Sequence, residues 1–306
     1  MQISNEIVIQ KAKSLGFDLV GFAKADKLEN ESANLEEWLK RGFQAGMKYM
    51  ERNSDKRKDI SLVFPEAECV ISLGLNYYTP HSHSEKKNTG KISRYAWGKD
   101  YHIIIWEKLR LLEEGLKEID PEFRSLSYVD TGPVMDKAWG VRAGIGWLGK
   151  HTNVINPALG SWFFIANIIT NYRFGYSELM TDHCGSCTAC IEACPTNAIV
   201  DEYVLDSNKC ISYLTIENKD KIPVAYKGKF DDWIFGCDIC QDVCPWNIKF
   251  SEICTTKEFN PSEGNSGIPI RNVMEMDEKM FNDKFRESPV NRTKLSGLKR
   301  NALFLL

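Results

Sequence analysis

Apolar and polar positions alternate along the first half of the chain with two different periods. In LEEWLKRGFQAGMKYM, Leu35, Trp38, Leu39, Phe43, Met47 and Met50 recur at helical spacing, which predicts a helix over 35–50. CVISLGLNYY (69–78) is rich in β-branched and aromatic residues and predicts a strand. Beyond the polar stretch HSHSEKKNTG, Ile105, Leu109, Leu112, Leu116 and Ile119 fall on one face of a second helix. SLSYVD predicts a strand ending at Asp130, VMDKAWGVRA a helix, and WFFIANIIT (162–170) a buried strand. Helices and strands mixed in this way predict an α/β or α+β domain with a substantial sheet over 1–180.

Composition adds little to that picture. With 43% hydrophobic and 26% charged residues the chain reads as an ordinary soluble globular protein. MQISNEIVIQKAKSLGF has no apolar core of a secretory signal, and WFFIANIIT is too short to span a bilayer. A cytoplasmic protein with no membrane partner is the expectation. A net charge of −3 argues against non-specific nucleic-acid binding by the chain as a whole. The stretch 281–306 differs, with six cations (Lys284, Arg286, Arg292, Lys294, Lys299, Arg300) against Asp283 and Glu287. A solvated helical face and a phosphate-binding surface both fit it.

Cysteine usage changes the picture most. CGSCTACIEACP (184–195) is Cys-x2-Cys-x2-Cys-x3-Cys-Pro, the ligand run of bacterial two-cluster ferredoxins, in which the last cysteine serves the other cluster. The only echo is CDICQDVCP (237–245), one cysteine short. Exchanging the cysteines that precede proline gives one site from Cys184, Cys187, Cys190 and Cys244. The second site takes Cys194, Cys237 and Cys240 and still needs a ligand. Cys210 is the unspent cysteine between the runs, separated from Cys237 by an insertion over 211–236. Two [4Fe–4S] clusters in a ferredoxin-like module over 181–255 follow. Two structural zinc sites are the alternative, although those favour paired C-x2-C knuckles. Cys69, inside a strand, reads as packing, and Cys254 as a spare.

Two patterns are set aside. GIGWLG (144–149) matches G-x-G-x-x-G, but a helix precedes it and no acidic residue follows at the distance a ribose needs. His81 and His83 lie in a polar stretch and read as solvated loop residues.

RYAWGKDYH (94–102), VDTGPV (129–134), GIGWLGKHT (144–152) and the split cluster pattern together resemble the epoxyqueuosine reductase family, to which reductive dehalogenases are related. The likeness runs from about Gly16 to Ala302. It implies a nitroreductase-like cobalamin-binding domain over 1–180, the ferredoxin-like module over 181–255 and a short helical basic segment over 256–306. It also implies reduction of epoxyqueuosine to queuosine at the wobble position of tRNA. A low-potential donor would supply electrons through two [4Fe–4S] clusters to cobalamin, in a protein acting as a monomer.

By position, the family's proton donor falls on Asp130, with Tyr101 a second candidate in the same pocket. Cobalamin contacts fall on Arg57, Ser93, Asp130 and Val154, and on Ser212 and Tyr213 beside Cys210. An ordinary aspartate is ionised at neutral pH, so the acid role requires burial of Asp130 against the corrin and apolar neighbours. D-T-G-P is equally a good helix start, and on the residues alone Asp130 could be a helix cap. No D-x-H-x-x-G motif occurs; His183 directly follows Asp182, so no motif supplies a lower ligand for the cobalt.

Lys219, Lys221, Lys227 and Lys229 join the basic terminus as candidate tRNA phosphate contacts. Some family members continue into a helical-repeat extension, whereas this chain stops at KRNALFLL. Two other function classes compete: a corrinoid reductase of a small molecule, dehalogenase-like, and a non-catalytic electron carrier.

Overall fold

The computed structural model describes residues 2–306. Its centre is a four-stranded antiparallel sheet ordered Leu19–Lys24, Cys69–Asn76, Phe163–Thr170, Ser125–Tyr128. Every residue of Cys69–Asn76 is buried, because both faces of the sheet are covered. Cys69, Ile71, Leu73 and Leu75 meet Ile105, Leu109, Leu112 and Leu116 of the helix Tyr101–Lys117, together with the N-terminal helix Asn5–Ser14. Val70 and Ile169 face the other way, onto Trp139 and Ala143 around the helix Asp136–Arg142. Asn167, the polar residue in the buried strand, sits opposite Ser72 and accepts its hydroxyl hydrogen at 2.5 Å. Its amide donates to Asp136 at 2.7 Å. A fixed polar line therefore runs through the sheet to the start of that helix.

The predicted helix over 35–50 is shorter than its stripe. The helix spans Glu29–Lys40 and stops because Gly42 takes φ +70, a left-handed turn that glycine tolerates. Phe43 and Met47 fall in turns, and Lys48–Glu51 is a separate 3₁₀ turn.

A second core joins segments from distant parts of the chain. Thr89–Ile92 pairs with Trp233–Phe235 in parallel and with Ile268–Pro269 antiparallel. Ile92 and Trp97 pack there with Ile234, Phe235, Phe281, Phe285 and Leu298. Residues 256–306 are thus anchored to both the sheet domain and the insertion. Among the described residues no helix is long and apolar enough to cross a membrane.

His83 corrects the reading of its loop. The loop folds over two indoles, and the His83 ring packs edge-on against Trp97 and Trp233 with Nε2 at 3.0 Å from the Ile92 carbonyl. His81 is exposed, as expected of a loop residue. GIGWLG forms a left-handed turn at Gly144 and then a hairpin strand, Trp147–Leu148 against Val154–Ile155, not the strand–turn–helix of a dinucleotide site.

Candidate functional site

Cys184, Cys187, Cys190 and Cys244 surround a cavity of about 140 Å³ shared with Lys150, His151, His183 and Trp246. Cys244 enters it from the N-cap of the helix Pro245–Phe250, whose first residue is the proline of the motif. Among the described residues no three His, Cys, Asp or Glu side chains converge to hold a single metal ion; these thiols ring a cavity instead of a point. Two polar atoms beside them are unspent. Trp147 Nε1 and His151 Nε2 are buried without a protein partner. His151 Nδ1 accepts from the Asn153 amide at 3.2 Å, and burial pushes the ring down to about 4. The neutral ring then carries its hydrogen on Nε2. Unspent donors around thiols fit an acceptor-bearing core such as iron and sulfide.

The second group adjoins the first. The Cys240 thiol is pushed up by burial and by its neighbours Cys210, Cys190 and Cys194. Cys237 is pushed up by burial and by Cys240 and Cys210, and Cys210 by burial and Cys194. Cys240 thus neighbours Cys210, Cys194 and Cys190, Cys237 neighbours Cys240 and Cys210, and Cys210 neighbours Cys194. The module's two short helices, Ala189–Glu192 and Ile239–Asp242, pack against each other to bring this about. Cys69 is wholly buried, its thiol pushed up to about 12 by desolvation. Cys254 packs on the first core with its Sγ 3.6 Å from the Thr256 carbonyl.

Asp130 lies on a loop between the strand Ser125–Tyr128 and the helix Asp136–Arg142, in the left-handed region at φ +53. It caps no helix: Met135 occupies that N-cap, with no side-chain bond. Tyr101 donates its hydroxyl to Asp130 Oδ2 at 2.8 Å, and His102 Nε2 stands 3.8 Å from the same oxygen. Asp100 caps the helix that carries both, accepting the His102 amide at 3.0 Å and contacting its Nδ1 at 2.9 Å. The Tyr101 ring is clamped between His102 and Phe164, with centroids 4.1 and 4.2 Å away. Burial and the Asp130 carboxylate push the Tyr101 hydroxyl far above the usual phenol range. The expected burial of Asp130 is not supplied by the chain, which leaves its side chain 59% accessible.

Lys137, the second residue of the adjacent helix, donates to the Thr152 carbonyl at 3.0 Å and Asn153 Oδ1 at 2.9 Å. The thiols of Cys240 and Cys210 and the carboxyls of Asp130 and Asp136 all lie within its electrostatic reach.

The residues expected to touch cobalamin come from separated segments of the chain. Arg57 is buried in the short helix Ser54–Lys58, its Nε without a partner and an Nη 3.5 Å from the Tyr49 carbonyl. An orphaned buried donor fits a cofactor that brings amide or phosphate acceptors. Ser93 is buried with its hydroxyl given to Asp238. Val154 is buried against Ile145 and Phe163. Ser212 and Tyr213 sit in the helix Ile211–Ile216, where the Tyr213 hydroxyl accepts the Gly46 amide at 2.8 Å. Of the basic residues, Arg300 is spent on the carbonyls of Leu214, Asn218 and Asp220, and Lys227 on that of Phe304. Each completes local structure.

Sequence reasoning missed His102, although it ends the DYH motif, and Asp136, which sits unremarked in an apolar helix. Asp136 opens its helix with the carboxyl accepting from the Asn167 amide at 2.7 Å, and burial, with Asp130 adding to it, pushes that carboxyl up to about 7. A carboxyl raised from 3.8 binds its proton more tightly folded than unfolded, so its contribution to stability falls as pH rises from about 4 to about 7. In cluster-loaded protein without corrinoid, Asp136→Asn should gain about 2 °C or more in Tm relative to the wild type between pH 5 and pH 8. A pH-independent offset would show that Asp136 is not enclosed.

Comparison with known proteins places this arrangement. Residues 57–131 match the family model described as epoxyqueuosine reductase QueG, DUF1730, and residues 183–247 that of a 4Fe-4S double cluster binding domain. The epoxyqueuosine reductase of Cellulophaga algicola is 47% identical over 98% of this chain and 97% of its own length. That of Leadbetterella byssophila is 48% identical over 96% and 95%. A solved epoxyqueuosine reductase with an epoxyqueuosine-modified tRNA-Tyr stem loop superposes with TM-score 0.92 at 32% identity, covering 98% of this chain and 80% of that one. The Bacillus subtilis enzyme, solved with its aspartate catalytic loop swung out of the active site, gives 0.91 at 31% over the same shares. A catabolic reductive dehalogenase, 15% identical with TM-score 0.52 over 80% of this chain and 32% of its own, shares the fold alone. By these matches the chain belongs to the epoxyqueuosine reductase family.

Proposed function

We propose that the protein reduces epoxyqueuosine at the wobble position of tRNA to queuosine, using two [4Fe–4S] clusters and cobalamin. The observation that carries this reading is Lys137, which stands within electrostatic reach of both the Cys210 and Cys240 thiols and the carboxyls of Asp130 and Asp136. Electron supply and proton supply meet there. Bound cobalamin would supply the strongly reducing centre that opens the epoxide.

The chain's own residues do the rest. Cys184, Cys187, Cys190 and Cys244 hold the outer cluster, and Cys194, Cys210, Cys237 and Cys240 the inner one. Arg57, Ser93, Val154, Ser212 and Tyr213 line the cofactor's side of the cleft. Asp130 delivers the proton to the departing oxygen. Tyr101, its hydroxyl held on Oδ2 at 2.8 Å, fixes the carboxyl's direction, and His102 stands ready to restore the proton. The exposed loop position of Asp130 supports this, since a flipped base could approach it from solvent.

Residues 1–180 form the nitroreductase-like cobalamin domain in this reading, 181–255 the electron module, and 256–306 a brace between them. The protein works as a monomer in the cytoplasm and takes electrons singly from a low-potential donor.

The test uses protein reconstituted with iron and sulfide. Cobalamin should perturb its absorbance on binding, and an epoxyqueuosine-bearing anticodon stem-loop should be turned over while a halogenated aromatic is not. Turnover of the aromatic alone would favour the small-molecule reductase. No cobalamin binding would leave an electron carrier.

A further inference from the structure

We propose that Tyr49, Glu217 and Arg292 form a nucleotide clamp at the rim of the Asp130 pocket. Arg292 takes the phosphate beside the inserted nucleoside and the Tyr49 ring stacks on a base. The inference rests on the reductase reading above and adds the RNA contact to it.

The three residues come from distant segments. Tyr49 lies in the 3₁₀ turn Lys48–Glu51 and Glu217 directly follows the helix Ile211–Ile216. Arg292 lies in the turn Pro289–Thr293, whose base is rigid: Pro289, Val290 and Thr293 are buried, and Thr293 donates its hydroxyl to the Thr215 carbonyl at 3.1 Å. The Arg292 side chain projects from that base, 48% accessible, with Nε held by the Glu217 carboxylate. One edge of the guanidinium is fixed and the terminal amino groups are left for a second, bidentate acceptor, the geometry that suits a phosphate. Tyr49 is 44% exposed and lies within electrostatic reach of Arg292.

Charge gives the arrangement a purpose. The backbone ties the Arg292 segment to the pocket, since the Asp100 amide donates to the Glu287 carbonyl at 2.7 Å, and Arg292 lies within electrostatic reach of Asp100 and Asp130. A phosphate arriving here meets Asp100, Asp130 and Glu217, and like charges would repel it without a fixed cation at the rim. Arg300, eight residues on, cannot serve, because its guanidinium is spent on backbone carbonyls. The stacking partner answers a separate need: single-stranded bases are held largely by aromatic faces.

The experiment uses the cluster-loaded protein and an anticodon stem-loop RNA, with binding followed by anisotropy over a range of salt. Arg292→Ala should weaken binding about tenfold or more and shrink the log–log salt slope by about 0.7. Arg292→Lys should restore the slope without all of the affinity, since lysine contacts a phosphate as a point charge. Tyr49→Ala should weaken binding about fivefold or more, while Tyr49→Phe, which keeps the ring, binds as the wild type. With the free epoxyqueuosine nucleoside, which has no phosphate, Arg292→Ala should turn over like the wild type although its KM for the stem-loop rises.

A structural bridge between Arg292 and Glu217 predicts the opposite. Nucleoside turnover, Tm and RNA binding would then fall together with the slope unchanged, and the clamp would be overturned. An unchanged affinity in Arg292→Ala would overturn it equally. Wild-type protein that turns over no RNA would sink the reductase reading, yet the binding and slope of unmodified stem-loop would still decide the clamp.

Discussion

Cys210→Ala is expected to lower the iron content from about eight atoms per chain to about four, and to abolish turnover with it. Cys210 supplies the ligand that neither cysteine run contains, so its loss should empty the inner site and spare the outer one. The outer four thiols ring their own cavity, and none comes from the insertion. The fold should survive the change. Cys210 is the N-cap of the helix Ile211–Ile216 but makes no side-chain cap bond, so alanine removes a ligand and little else. Cys254→Ala is the control, because Cys254 packs on the sheet core away from both groups and should keep all the iron. Iron and acid-labile sulfide measured on both variants decide the matter. Full iron in Cys210→Ala would show that another group completes the inner site.

Local patterns in the sequence were reliable wherever one segment carries the whole signal. The stripe Ile105–Leu116 became the helix Tyr101–Lys117 because its apolar face meets a sheet of matching width. The cysteine exchange was readable because cubane ligation fixes spacings of two and three residues. The 35–50 stripe failed at Gly42, where a left-handed turn outweighed the apolar repeat. His83 misled for a different reason: polar neighbours in sequence say nothing of Trp97 and Trp233, which reach it from elsewhere in the chain.

The site itself was legible only in part. Asp130 and Tyr101 lie in recognisable motifs, but the proposed clamp comes from three separated segments. Glu217 belongs to an insertion, Tyr49 to a turn and Arg292 to the terminal segment. No periodicity links such residues. Counting cations along 281–306 likewise treated Arg292 and Arg300 alike, whereas one projects at the pocket rim and the other ties down carbonyls. Net charge is visible in a sequence; which charges are already spent is a property of the fold.

Asp130→Asn should lower epoxide reduction by on the order of 10²-fold or more, the usual scale for losing a positioned acid. Conversion of an epoxide to an alkene consumes two electrons and two protons and releases water, so a proton must reach the oxygen as its bonds to carbon break. Asparagine has no such proton to give. It is otherwise a close replacement: it tolerates φ +53 as readily as aspartate, and its Oδ1 can still accept the Tyr101 hydroxyl. The loop, both clusters and cobalamin binding should therefore persist. The helix-cap reading of Asp130 predicted an inert substitution, and Met135 already holds the cap. Single-turnover reduction of the stem-loop, measured with clusters and cofactor loaded, isolates the proton step from RNA binding. If Asp130→Asn turns over at nearly the wild-type rate, the acid is not Asp130. Tyr101 then becomes the donor to test, and Tyr101→Phe should show the loss instead.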